Sequence, residues 1–75
     1  MTDVNPEFNR LYWEYSYPIV LALIEAYPAI DLDRIGIEAL NRLIVGLPNF
    51  ADDPALANES ILSEILREWY EEVNS

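Results

Sequence analysis

The strongest constraint on this chain is the stretch Phe50-Ala51-Asp52-Asp53-Pro54, followed by Asn58-Glu59. Proline has no N–H to donate and holds the residue before it in extended conformations, so Asp53-Pro54 interrupts any helix that reaches it. Four residues on, Asn58 offers a side-chain oxygen to the free amides of a new first turn. Ile61, Leu62, Ile65, Leu66, Trp69 and Val73 then recur at helical spacing and make one apolar stripe. Such a stripe must be covered, and the upstream sequence has to supply the cover.

Leu11 to Tyr17 concentrates Tyr12, Trp13, Tyr15 and Tyr17. Their alternation predicts a short extended segment with Trp13 turned inward. Ser16 is read as the cap of a first helix that runs to about Tyr27, with Pro18 tolerated in its first turn. On a helical wheel Ile19, Ala22, Leu23 and Ala26 share one face, while Leu21 and Ile24 point the opposite way beside Glu25. Leu21 and Ile24 then have two destinations. They lie under the N-terminal aromatics, or they form a self-association surface across a two-fold axis. A turn over Pro28 to Asp33 and a short extended piece, Arg34 to Ile37, lead to a second helix. It runs from about Glu38 to Val45 and presents Leu40, Leu43 and Ile44, with Leu47 just beyond. Gly46 is read as a left-handed stop, and Pro48 prevents resumption. No repeat or linker divides the chain, so residues 1–10 are read as a flexible polar arm carrying Phe8, and 11–75 as a single domain.

Size and composition narrow the function. A chain of 75 residues buries only about 60% of its unfolded surface, so each large apolar residue matters. There is no Cys and no His, which removes thiolate nucleophiles, imidazole bases, zinc sites and thiolate ligation of an iron–sulfur cluster. Fourteen acids stand against four Arg, for a formal net charge of −10. Nucleic acid and anionic membrane surfaces both demand cations, so neither is an expected partner. The remaining partners are a basic protein surface or a hard cation. The N-terminus lacks the basic and apolar regions of a signal peptide, and the run Pro18 to Ile24 falls far short of a membrane span of about 20 residues. The expected location is the cytoplasm.

Two carboxylate groups follow from spacing. Glu64, Glu68 and Glu71 lie within about 60° of one another opposite the apolar stripe, flanked by Glu72. Three of these four crowd the helix C-terminus, where the macrodipole disfavours anions by about 0.3–1 kcal/mol each. A local cost of that kind points to a partner, although a merely solvated face would carry the same residues. The second group is Asp52, Asp53 and Glu59, for which turn and cap chemistry is the plainer explanation and partner binding the sharper one. Carboxylates on convex helix faces lack the pocket that acid–base catalysis needs to separate two pKa values, so an enzyme is not expected.

Taken together, Trp13, Ala26-Tyr27-Pro28, Asp31, Phe50 and the run F-x-D-D-P-x-x-x-N-E-x-I-L-x-x-I-L-x-x-W resemble the IscX family, small acidic accessory proteins of bacterial iron–sulfur cluster assembly. The resemblance covers residues 11 to 72. It implies a mainly α, compact three-helix, winged-helix-like domain of helix-turn-helix type with at most short extended segments. It also implies no catalysis and no tightly bound cofactor. Two binding activities come with it: weak iron binding through surface carboxylates, and docking on the basic surface of a cysteine desulfurase (an IscS-like partner) that bacterial frataxin uses. What remains here of the family's acidic zone is Glu25, Asp31 and Asp33, the candidate metal residues. The matching helix-one positions are Tyr15, Pro18 and Leu21 in place of acids, and the last helix carries Glu64, Arg67 and Glu68 where the family is largely apolar. Partner binding is therefore assigned to Glu64, Glu68, Glu71, Glu72, Asp52 and Asp53. The alternative is a homodimeric module joined through Leu21 and Ile24, with the family role reduced or lost.

Overall fold

Asn58 caps the longest helix as its chemistry predicts: its Oδ1 accepts from the Ile61 N–H at 2.9 Å. The computed structural model describes residues 10–74, so all of the expected arm except Arg10, and Phe8 with it, lies outside the described residues. Three helices form the body: α1 (Ser16–Ala26), α2 (Ile37–Val45) and α3 (Glu59–Val73). Single 3-10 turns at Leu32–Arg34 and Pro54–Leu56 precede α2 and α3.

The stripe of α3 is where the core gathers. Leu62, Ile65 and Trp69 are buried and Ile61 and Leu66 half-buried, whereas Val73 remains 50% exposed, so the stripe ends a turn early. Against it lie Ile19, Val20 and Leu23 of α1, Leu40 and Ile44 of α2, and Leu11, Trp13 and Leu47. α3 packs chiefly on α1 and less on α2. Trp69, 1% exposed, is the largest side chain enclosed. Truncating a buried Trp to Ala typically costs about 3–5 kcal/mol, a large share of what a domain this small possesses.

Four local expectations are corrected. Ser16 is the first residue of α1 and not its cap; Tyr15 holds the cap position without a side-chain bond, and the Ser16 hydroxyl turns to α3 instead. Ile24 is half-buried and packed against the core, so of the pair assigned to the outer face only Leu21, 43% exposed, faces out. Val20 takes the buried place that the wheel left open. Arg34 belongs to a 3-10 turn and Ile37 to α2, which leaves Ile35 and Gly36 as the extended link. Gly46 ends α2 with φ −80°, right-handed. What favours glycine there is space, since a Cβ would stand 3.2 Å from the Arg42 carbonyl oxygen.

Leu11 reaches across to the loop after α2 in a parallel bridge to Phe50. The Leu11 N–H donates to the Asn49 carbonyl (2.9 Å), and the Leu11 carbonyl accepts from Ala51 N–H (3.0 Å). Trp13 then turns inward as expected, its ring edge-on to Phe50 at 5.0 Å. Among the described residues this bridge is the one extended pairing, and no strand forms. The fold is mainly helical, and no wing is seen among those residues.

Candidate partner-binding face

The outer face of α3 is built by the same period that buries its stripe. Glu64 and Glu71 are exposed on it. Glu64 accepts from Arg67 Nη2 at 2.7 Å, one turn along. That hydrogen bond, the Glu64 charge and the nearby Glu71 charge raise the Arg67 guanidinium pKa above its ordinary value. Glu68 departs from its neighbours. It is half-buried, and its Oε1 accepts from the Ser16 hydroxyl at 2.5 Å, joining the start of α1 to the middle of α3. Glu72 is half-buried as well. The exposed carboxylates of the face are thus Glu64 and Glu71, with Glu68 partly committed to the fold.

Asp52 and Asp53 are engaged in holding the N-terminal segment. Asp52 accepts from the Trp13 backbone N–H (2.9 Å) and from the Asp53 N–H (2.7 Å). Asp53 accepts from Ala55 N–H through its side chain, and its carbonyl accepts from Trp13 Nε1–H, each at 2.9 Å. The Asx-turn chemistry of an Asp before Pro is legible in the sequence; the long-range clamp on Trp13 is not, because it depends on how the chain returns. Glu59 sits in the first turn of α3, where the positive end of the helix favours it.

The candidate metal residues do not converge. Asp31 pairs with Arg34 at 3.3 Å and accepts from the Asp33 N–H at 3.1 Å, and it is exposed. Among the described residues no three acidic side chains are grouped to hold a metal ion. With oxygen donors alone and one of them already paired, Glu25, Asp31 and Asp33 do not fit a tight iron site.

Sequence reasoning missed Glu14, Ser16 and Ser60, which line an open groove of about 260 Å³ with Trp13, Ile61, Glu64 and Ile65. The groove lies between the turn that precedes α1 and the first turns of α3. Its two parts are 44 residues apart in sequence at their closest, Ser16 to Ser60, so no local signal could have joined them. No helix among the described residues is long and apolar enough to cross a membrane.

Known proteins resemble the chain in sequence. The uncharacterized protein PA3808 of Pseudomonas aeruginosa is 36% identical over 62 residues, covering 83% of this chain and 94% of that protein. Residues 11–74, the three-helix body with its Trp13 clamp, match the family model described as iron–sulphur cluster assembly. The chain belongs to that family, the IscX-type accessory proteins of iron–sulfur cluster assembly.

Proposed function

We propose that this chain is a non-catalytic acidic adaptor that lays the outer face of α3 on the basic surface of a cysteine desulfurase in the cytoplasm. Family membership supports a role in iron–sulfur cluster assembly. The observation that carries the finer reading is the exposure of Glu64 and Glu71 together on the outer face of α3, in a chain of net charge −10. Glu71, in the last turn of α3, opposes the helix macrodipole, a local cost that favours a benefit outside the helix. The absence of His and Cys from the sequence favours binding over chemistry. Iron association in this reading is weak and spread over surface carboxylates, with Glu25, Asp31 and Asp33 as contributors and not as a cage.

The test is calorimetric titration of the desulfurase with wild type and with Glu64→Lys plus Glu71→Lys. Glu68 is left in place because changing it would also break the bond to Ser16. Reversal of two charges at the contact weakens binding by roughly tenfold or more; unchanged affinity removes α3 from the interface.

A second reading rests on a different observation. Tyr17 and Leu21, one turn apart on α1, are 48% and 43% exposed, and the only formal charge within α1 is Glu25. Acidic copies would approach one another with least repulsion through that face. Light scattering on wild type and Leu21→Glu decides it: a dimer that the substitution dissociates supports self-association, and a monomer in both cases ends it.

A further inference from the structure

The groove beside α3 has a chemistry that the acidic face as a whole does not. Ile61, Ile65 and Trp13 supply its apolar lining, and Glu14, Glu64, Ser16 and Ser60 supply carboxylates and hydroxyls. At about 260 Å³ it falls below the range of roughly 300–1,000 Å³ typical of small-molecule sites, and suits one long side chain. An apolar lining that also carries carboxylates matches a side chain with a hydrocarbon stem and a cationic head. Two carboxylates and two hydroxyls around one head favour the planar, multiply donating guanidinium over a point-like ammonium.

One guanidinium already engages a carboxylate of the lining. Arg67 donates to Glu64 at 2.7 Å, but both side chains are mostly exposed, 64% and 58%. Exposed pairs of this kind are weak because solvent screens them, so Arg67 is readily displaced.

We propose that the groove receives a single arginine side chain from the surface of the basic partner, and that Arg67 is its intramolecular competitor for Glu64. This deepens the adaptor reading and rests on it. Arg67 sets a threshold: a partner arginine that also gains Glu14, the hydroxyls and the apolar lining displaces it, and a stray surface cation does not.

The experiment uses the full chain, isotopically labelled, with a blocked Gly-Arg-Gly peptide as probe and Gly-Lys-Gly and Gly-Gln-Gly as comparisons. The expected result is saturable amide shifts at Glu14, Ser60 and Glu64 and at the Trp13 indole N–H with the arginine peptide, weaker ones with lysine and none with glutamine. Glu14→Gln plus Glu64→Gln weakens binding by roughly tenfold. Arg67→Gln strengthens it by about 1.5- to 5-fold, the loss of an exposed competitor. Ser60→Leu, which fills the groove and leaves every charge in place, abolishes peptide binding and weakens the desulfurase complex. Equal binding of the lysine peptide overturns the choice of arginine, and weaker binding by Arg67→Gln overturns its role as competitor. Absent or scattered shifts, or full desulfurase affinity in Ser60→Leu, overturn the site while leaving the adaptor reading intact. Arginine-peptide binding without any binding of desulfurase overturns the adaptor reading instead.

Discussion

Asp52 serves two backbone N–H groups at once, those of Trp13 and Asp53. Removing one acceptor leaves both donors short of a partner, one of them at a buried residue. Asp52→Ala is therefore expected to lower unfolding free energy by about 1–3 kcal/mol. In urea denaturation this appears as a lower midpoint at unchanged slope, and an unmoved midpoint would show that water replaces the carboxylate. Asn58 is a cleaner case, since its side chain meets one amide. Asn58→Ala should cost about 1 kcal/mol in the same measurement, and Asn58→Asp almost nothing. The two residues also show what is readable at this scale. A cap four residues past a proline is local chemistry and was visible in sequence. The Trp13 clamp links positions 39 residues apart, and only the fold brings them together.

Among the elements, α3 was legible because cap, stripe and polar face all agree on one helix in one orientation. α1 was legible as a helix and illegible as a surface. It is apolar nearly all round, so periodicity could not decide between its sides; packing placed Val20 and Ile24 against the core and left Leu21 out. The same limit hid the bond from Ser16 to Glu68, which depends on the register of α1 against α3. The acidic C-terminal half of α3 leads to a prediction with opposite signs in two assays. Glu71→Gln relieves about 0.3–1 kcal/mol of macrodipole repulsion and gives up a smaller, solvent-screened attraction to Arg67. Thermal melting should accordingly show equal or slightly higher stability, while affinity for the desulfurase falls. Loss of stability with unchanged affinity would mean that Glu71 serves the helix and not a partner.

For the molecule as a whole, charge is the property that composition displayed most plainly and the fold then distributed. The helices meet in one core, and five of the carboxylates considered for partner binding show three fates: Asp52 and Asp53 hold loops, Glu68 joins two helices, and Glu64 and Glu71 face outward. Sequence alone could count the acids and place them on a wheel, but could not separate those the fold consumes from those it presents. Glu25, Asp31 and Asp33 illustrate the loss, since Asp31 pairs with Arg34 and no three acids group to hold a metal ion among the described residues. The adaptor account requires that what remains exposed acts through its field. The most direct test is the affinity of the full chain for the desulfurase from about 0.01 M to about 1 M salt, over which the screening length falls from about 30 Å to about 3 Å. Affinity that declines steeply and continuously across that range is the predicted result; affinity that stays level would contradict the account.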